Sequence, residues 1–204
     1  MQYYERWWQE NYTTRGDDLR SWLFGSDTSS RAAVAEIADT LAAEIGYRVL
    51  LLECGPGVYV DADTIWRGRK TVKYAAIDVT PAIVQDGLAR GYRVSLGSIE
   101  AIPHGSSNAD LVYCRHVLEH LPSYRQAIAE MLRVAELVAV AVFWRLDTEA
   151  ETDVILWNTV EDVPDTFHNM YSQKAISAYL DGLGVAYTWR QTAQDWVLIM
   201  DKRR

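Results

Sequence analysis

The feature that most constrains this fold is an apolar run that ends in a Gly-x-Gly turn, Val49-Leu50-Leu51-Leu52-Glu53-Cys54-Gly55-Pro56-Gly57. A short run rich in leucine and valine indicates a strand buried in a sheet. The glycines at 55 and 57 tolerate unusual backbone dihedrals and let a ligand approach the main chain closely. The run therefore predicts a buried strand that leads into a nucleotide-binding loop.

A second apolar run, from Val72 to Asp78, supports this interpretation because it ends in an acid. Asp78 follows the glycine turn by about 20 residues, the spacing at which a carboxylate reaches the ribose hydroxyls of a nucleotide. The two runs together predict a nucleotide-type ligand at one edge of a sheet.

Helical and strand patterns alternate along the rest of the chain, which predicts an α/β fold with a mainly parallel sheet covered by helices on both faces. In such sheets ligands bind beyond the carboxyl ends of the strands. The predicted helices cover 31–45, 81–90, 124–134 and 173–180, and the remaining predicted strands cover 93–96, 110–114, 137–144, 185–190 and 196–200.

Composition limits the partners of the chain. Its 204 residues, 49% of them apolar, predict a single domain over 1–204. A net charge of −8 opposes binding to nucleic acid. The longest apolar run, Leu137 to Trp144, is too short to span a bilayer, and the amino terminus lacks a signal-peptide core. With only two cysteines, Cys54 and Cys114, no disulfide framework is expected, and we predict a cytoplasmic protein without membrane contact.

Residues 1–30 form a distinct amino-terminal segment. Five aromatic residues occur there at approximate helical spacing, which predicts either a lid over the site or a helix docked on the core. Gly, Asp and Ser are frequent from Arg15 to Ser30, which predicts a loop. The aromatic residues are Tyr3, Tyr4, Trp7, Trp8 and Tyr12.

Three segments, in order, resemble the class I S-adenosylmethionine-dependent methyltransferases, particularly the methyltransferase type 11 group. They are Cys54-Gly55-Pro56-Gly57, Ala76-Ile77-Asp78-Val79-Thr80-Pro81 and the stretch from Asp110 to Pro122. The resemblance covers about residues 48–134. It implies a Rossmann-like, seven-stranded, mainly parallel sheet with helices on both faces and an antiparallel last strand. It also implies S-adenosylmethionine as the cofactor.

The resemblance assigns a cofactor contact to each strand end. Gly55 and Gly57 lie beside the methionine portion, Asp78 holds the ribose hydroxyls and Val79 packs on the adenine. Ser98 belongs to the loop that contacts the adenine edge, where many relatives carry Asp. The full set of cofactor residues implied is Glu53, Gly55, Pro56, Gly57, Asp78, Val79, Ser98, Ile99, Cys114 and Arg115.

Glu53 aligns with the family in two registers. An alignment on the Cys-Gly-Pro-Gly sequence puts Glu53 where relatives usually have glycine, whereas an alignment on the acid makes it the first residue of Glu-x-Gly-x-Gly. Both registers place a carboxylate at the mouth of a buried strand. There it either attracts the ammonium and sulfonium charges of the cofactor or caps nearby backbone amides.

The sequence His116-Val117-Leu118-Glu119-His120 matches the H-x-x-E-H pattern of inverted zinc proteases. The pentapeptide comes directly after a predicted strand and meets Pro122 two residues later, which leaves little helix to hold two zinc ligands. We therefore predict no metal. Histidine titrates near neutral pH, so His116 is instead the candidate general base.

The sequence predicts an enzyme that transfers a methyl group from S-adenosylmethionine to a small-molecule acceptor. One alternative is a non-catalytic methyltransferase-like module that binds cofactor or a partner, because Ser98 and Glu53 depart from the family pattern. A second alternative is an NAD-dependent oxidoreductase, but Val60 occupies the place where that fingerprint needs a small third residue.

Overall fold

Five α-helices and eleven strands occur in the part of the chain that the computed structural model describes, residues 3–24, 29–55, 60–155, 157–160 and 163–203. The helices are α1 (Tyr3–Phe24), α2 (Ser29–Ile45), α3 (Pro81–Ala89), α4 (Tyr124–Val134) and α5 (Gln173–Leu183). The strands are β1 (Val49–Cys54), β2 (Val72–Asp78), β3 (Val94–Leu96), β4 (Ala109–Arg115), β5 (Ala135–Phe143), β6 (Leu146–Asp147), β7 (Trp157–Val160), β8 (Val163–Phe167), β9 (Tyr171–Ser172), β10 (Ala186–Gln191) and β11 (Trp196–Asp201). A π-helical turn, Ala62–Trp66, follows β1, and a 3-10 turn, Leu118–His120, follows β4.

Seven of these strands form one sheet in the order β10-β11-β5-β4-β1-β2-β3. The pairs among β1 to β5 are parallel, whereas β11 pairs antiparallel with both β5 and β10. This topology confirms the predicted Rossmann-like, seven-stranded, mainly parallel sheet with an antiparallel last strand. The carboxyl ends of β1 to β5 consequently lie at one edge, which we call the ligand rim.

Alternate residues of the central strands pack into two separate apolar layers. Leu51 and Leu111 face the layer that includes α2, whereas Leu52 and Val112 face the layer that includes α4 and α5. Every residue of β4 is buried. Full burial of a leucine or isoleucine contributes roughly 1.5–3 kcal/mol, so the two layers together hold the sheet and fix the position of its rim.

The ends of α3 and α5 carry residues that favour helix termini. Ser172 caps α5 by accepting a hydrogen bond from the Ala175 amide at 3.0 Å, and Gly184 ends the helix in the left-handed conformation with φ of 67°. Proline at the first position of α3 sets the start of that helix. A further short helical segment lies between the glycine turn and β2, at residues 60–66.

The loop predicted over residues 15–30 is wrong for residues 15–24, which are helical. Arg15 departs from helical dihedrals, with φ of −136° and ψ of 22°, so α1 is two helical segments joined at a kink. Asp17 and Asp18 then lie in the first turn of the second segment, where the helix dipole favours acids. Residues 25–28 lie outside the described part of the chain.

The amino-terminal helix α1 contacts α3 beside the ligand rim. The Tyr12 hydroxyl donates to Oδ2 of Asp86 at 2.6 Å, and Oε1 of Gln9 accepts from the Ala82 amide at 3.1 Å. Gln9 thereby satisfies one of the amides that the first turn of α3 leaves without a helical partner. A role of the amino-terminal segment as a lid over the site stays a prediction.

No helix in the described ranges combines the length and the apolar character that crossing a membrane requires.

A buried ion pair joins α2 to the segment after β1. Nε of Arg31 lies 2.7 Å from Oδ1 of Asp61, and both side chains are about 95% buried, with exposed fractions of 4% and 5%. The Tyr113 hydroxyl on β4 donates to the other carboxylate oxygen of Asp61 at 2.7 Å. Asp61 therefore connects three elements that are distant in sequence.

Replacement of Asp61 by Ala should lower the free energy of unfolding by about 3–5 kcal/mol, because it leaves the buried Arg31 charge without its carboxylate. Urea denaturation of both proteins measures the difference. The control is Glu36→Ala, which breaks an exposed ion pair with Arg190 and should cost no more than about 1 kcal/mol. Equal losses for the two variants would contradict this account of Asp61.

Candidate functional site

The ligand rim brings together most of the residues that the sequence singled out. Cys54 on β1 is the register partner of both Ile77 on β2 and Cys114 on β4, so the chain segments that follow these strands leave the sheet side by side. Gly55 and His116 begin two of these segments, and Asp78 is the last residue of β2. Pro56 and Gly57 fall outside the described residues.

Gly55 lies where the loop after β1 meets the loop after β4. Its φ is 69°, in the left-handed region, and a Cβ placed on it would lie 2.6 Å from Cγ2 of Val117. Its amide donates to the Ile77 carbonyl at 2.9 Å, which fixes the turn against β2. The backbone conformation and the lack of space for a Cβ therefore both require glycine at position 55. Glycine is also the residue that lets a loop pass close to a ligand.

Asp78 ends β2 with its carboxylate held at the rim. Oδ1 accepts from the Thr80 amide at 2.7 Å, and the residue is 7% exposed. The Thr80 hydroxyl is buried and has no hydrogen-bond partner among the described residues. An unpartnered buried hydroxyl beside a fixed carboxylate suits a polar ligand that bonds to both. Val79 lies between them and is partly exposed.

The loop after β3 lies against the same turn. The Gly97 amide donates to the Asp78 carbonyl at 2.9 Å. The Ser98 hydroxyl oxygen accepts from the Glu100 amide at 3.2 Å, so part of its hydrogen-bonding capacity is used within the loop. Ile99 is 6% exposed and packs into the core, which leaves its backbone rather than its side chain for a cofactor contact.

Cys114 is wholly buried on the α4 side of the sheet, where its Sγ lies 3.7 Å from Sδ of Met131. Burial raises the pKa of the thiol well above its ordinary value. A side chain in this position cannot reach the rim, so a cofactor contact from Cys114 would involve its backbone. The neighbouring Cys54 is also buried, and both cysteines are free thiols.

Glu53 is 1% exposed, and its Oε2 accepts from the Tyr74 hydroxyl at 2.7 Å. Desolvation first, and the nearby Asp61 second, raise the pKa of Glu53 well above its ordinary value. This environment disfavours the charged form of Glu53, which is the form that would attract a cation. Two roles are predicted for Glu53, attraction of the cofactor's positive charges and capping of backbone amides. The contact that the structure places at its carboxyl group is instead the Tyr74 hydroxyl, below the ligand rim.

Arg115 is bound within the protein. Its Nε lies 3.4 Å from the Ser30 hydroxyl and 3.8 Å from Oδ2 of Asp195, and the residue is 8% exposed. These contacts join β4 to the start of α2 and to the turn before β11.

His116 follows β4 directly and adopts a left-handed conformation, with φ of 54°. Its amide donates to the Val142 carbonyl at 2.9 Å, and its Nε2 lies 3.1 Å from Oδ1 of Asp195. The ring packs edge-on to Trp144, with 5.2 Å between ring centroids. Burial lowers the pKa of His116, which keeps the imidazole neutral at neutral pH and able to accept a proton.

Sequence reasoning gave no role to Trp144 or Asp195. Trp144 is the centre of a ring cluster, with His120 at 4.7 Å and His168 at 6.4 Å between centroids. Burial lowers the pKa of His120 to about 3, while its Nδ1 lies 2.9 Å from the Phe167 carbonyl. Because Asp195 lies in a turn between two strands, its sequence context resembles that of any turn residue.

The zinc-protease pattern does not build a metal site in the described residues. Leu118–His120 is a single 3-10 turn, so the two histidines do not lie one α-helical turn apart. Glu119 is wholly buried, and its Oε1 accepts from the Trp144 amide at 2.8 Å. Within the described ranges no group of three histidine, cysteine or acidic side chains is arranged to hold a metal ion.

Stability should depend on pH through Glu119, because burial raises its pKa from 4.5 to about 8. A raised carboxyl pKa stabilises the fold fully below pH 4.5, and this contribution is lost as the pH rises towards 8. The free energy of unfolding of the wild type should fall between pH 6 and pH 9. In Glu119→Gln this fall should be smaller by on the order of 2 kcal/mol, which corresponds to roughly 5 °C in Tm.

Thermal denaturation of wild type and Glu119→Gln at both pH values measures this difference. Parallel pH profiles for the two proteins would show that Glu119 does not titrate in this range.

The family model described as a methyltransferase domain matches residues 52–140 of this chain. This segment includes the second half of β1, all of β2 to β4 and most of β5, and therefore Gly55, Asp78 and His116 at the ligand rim. No curated protein sequence is significantly similar to the chain.

Solved structures share the fold at low sequence identity. The Burkholderia thailandensis 1,6-didemethyltoxoflavin-N1-methyltransferase aligns over 98% of this chain and 88% of its own, with a TM-score of 0.66 and 14% identity. The magnesium protoporphyrin IX methyltransferase of Synechocystis PCC 6803 aligns over 95% and 97%, with a TM-score of 0.62 and 14% identity. The CurJ carbon methyltransferase aligns over 76% of this chain, which spans about half (48%) of that chain, with a TM-score of 0.58 and 13% identity. At such identities the likeness concerns the fold.

Proposed function

We propose, on the premise that residues 52–140 of this chain are a class I S-adenosylmethionine-dependent methyltransferase domain, that the chain methylates a small-molecule acceptor. The domain match supports the predicted resemblance, the enzyme class and S-adenosylmethionine as the cofactor, and the solved structures show that the fold is shared. It also argues against the NAD-dependent oxidoreductase. The acceptor class and the roles of individual residues are the proposal.

One observation carries the proposal: a glycine turn, a fixed carboxylate and a partly exposed histidine leave three adjacent strands at one rim. Gly55 lets the main chain approach the methionine portion of the cofactor. Asp78 and the Thr80 hydroxyl would hold the ribose, because one is an anchored acceptor and the other a buried hydroxyl without a partner. The backbone around Ser98 and Ile99 would contact the adenine.

When bound, S-adenosylmethionine supplies a methyl group that its own sulfonium has already activated. The protein then chiefly needs to hold the acceptor in line with that methyl group and to exclude water, and such positioning contributes roughly 7–11 kcal/mol at best. His116 accepts a proton where the acceptor is a hydroxyl or an ammonium group. An acceptor that is already a free amine or a thiolate needs no base.

The small-molecule acceptor is supported by charge and by local aromatic character. A chain with a net charge of −8 repels nucleic acid, and we propose neither nucleic acid nor membrane as a partner. Trp144 packs against His116, and His168 packs against Trp144. Both are partly exposed rings, and such rings suit a planar ligand. Two of the solved structures that share the fold are named for planar heterocyclic compounds, 1,6-didemethyltoxoflavin and magnesium protoporphyrin IX.

A cytoplasmic location is part of the proposal. Cys54 and Cys114 are register partners on adjacent strands, and both are buried free thiols. Neighbouring thiols that remain unpaired are typical of a reducing compartment.

A non-catalytic cofactor-binding module is the second candidate, favoured by two observations. Ser98 accepts a hydrogen bond within its own loop, and Glu53 contacts Tyr74 below the rim. Both residues then contribute little to the affinity for cofactor. Binding of the cofactor with no product across a panel of phenols, amines and heterocycles would favour this candidate.

Asp78→Ala should weaken binding of S-adenosylhomocysteine by about 2–3 kcal/mol, or roughly 30- to 150-fold in Kd, because two charge-assisted hydrogen bonds are lost. Asp78→Asn should weaken binding less, since an amide oxygen still accepts from the Thr80 amide and keeps the turn. Isothermal titration calorimetry measures both. The exposed variant Asp181→Asn is the control, and equal Kd values for all four proteins would place the ribose elsewhere.

His116→Asn should lower kcat at least about 100-fold for a hydroxyl acceptor, while the Kd of the cofactor stays within a few-fold. Asparagine is the sharper replacement because it tolerates the left-handed conformation, whereas alanine would add backbone strain. Release of S-adenosylhomocysteine measures turnover. Unchanged kcat with a hydroxyl acceptor would remove His116 from the mechanism.

A further inference from the structure

The residue that contacts the candidate base comes from the turn between the last two strands of the sheet. Oδ1 of Asp195 lies 3.1 Å from Nε2 of His116, and the Asp195 side chain is 3% exposed. Three hydrogen bonds between Thr192 and Asp195 hold the turn. The Asp195 amide donates to the Thr192 hydroxyl at 3.1 Å, and the Asp195 carbonyl accepts from the Thr192 amide at 2.9 Å and from the Thr192 hydroxyl at 3.0 Å. The carboxylate is therefore fixed in place before any ligand binds.

The other oxygen of this carboxylate is also occupied. The Ser30 hydroxyl donates to Oδ2 of Asp195 at 2.5 Å, and Nε of Arg115 lies 3.8 Å from the same oxygen. Burial alone raises the pKa of Asp195, but the contacts with His116, Ser30 and Arg115 outweigh burial and hold it below its ordinary value. Asp195 is thus an ionised, anchored carboxylate with one oxygen directed at the imidazole.

The backbone of His116 adopts an unusual conformation, and its ring is held against a neighbouring ring. His116 has a φ of 54°, and its ring is edge-on to Trp144, at an interplanar angle of 87°. Its Nε2 is buried and lies in contact with the Asp195 carboxylate at 3.1 Å, although the angle is not that of a hydrogen bond. Strained residues are retained where function needs them.

We propose that Asp195 is the positioning residue for His116, keeping the proton on Nε2 so that Nδ1 is the atom that takes a proton from the methyl acceptor. The inference rests on the proposed function. In the reaction the acceptor atom gains the methyl carbon and loses its hydrogen to Nδ1, and S-adenosylhomocysteine leaves with the electron pair of the broken bond. The imidazolium that forms is balanced by Asp195 until the proton passes to water.

The charged groups around His116 come from several elements. Asp195 and Asp61 favour the imidazolium, whereas burial, Arg115 and the neighbouring His120 oppose it. Asp195 is the acid in direct contact. Loss of its charge removes a stabilising partner and leaves the opposing groups unchanged.

The first test needs no substrate, because the chain has four histidines and their ring signals can be resolved by nuclear magnetic resonance. The His116 signals are assigned by their loss in His116→Asn. We expect the wild type to carry its proton on Nε2 above the pKa. Asp195→Asn should lower the pKa of His116 further and mix the two tautomers, whereas the exposed variant Asp181→Asn should change neither.

The second test measures turnover with a hydroxyl acceptor. Asp195→Asn should lower kcat at least about tenfold with KM within a few-fold, and Asp195→Glu should restore part of the loss because it keeps the charge. A proton on Nδ1 in the wild type, or an unchanged His116 pKa in folded Asp195→Asn, would overturn the role of Asp195. Neither outcome affects cofactor binding, whereas absence of S-adenosylmethionine binding in calorimetry would overturn the proposed function instead.

Discussion

The in-register pairing of β1 with β4 is the constraint on which the candidate site depends. It sets Cys54 opposite Cys114, so that the loop with Gly55 and the loop with His116 leave the sheet together. Because side chains alternate between faces, a slip of one residue would turn Arg115 from the α2 side to the apolar α4 side. There the guanidinium would lose Ser30 and Asp195, and an unpaired buried charge would oppose the altered register.

The elements with local signals could be predicted from the sequence. The apolar run from Val49 to Cys54 and the cap at Ser172 are such signals, and both are observed. The helix past Arg15 was missed because Gly16 and two aspartates indicate a loop, although the acids suit the start of a second helical segment. The short strand pair β6 and β9 was missed because two-residue strands have no periodicity, and their pairing depends on contacts distant in sequence.

The same division holds at the candidate site. Asp78 and His116 follow strands, so their place at the rim could be inferred from spacing alone. The contact of Glu53 with Tyr74, and that of His116 with Asp195, could not, because each depends on which face of the sheet a side chain occupies and on how loops meet. Residues at strand ends are thus predictable in position, whereas their partners come from the tertiary structure.

The close packing of Gly55 against Val117 joins the loop after β1 to the loop after β4. Val117 is the immediate neighbour of His116, and one of its methyl groups fills the space where a side chain at position 55 would lie. A residue larger than glycine at position 55 would therefore strain its own backbone and also displace the loop that begins at His116. The two loops consequently restrict each other's sequence: the space that one leaves empty is the space that the other fills.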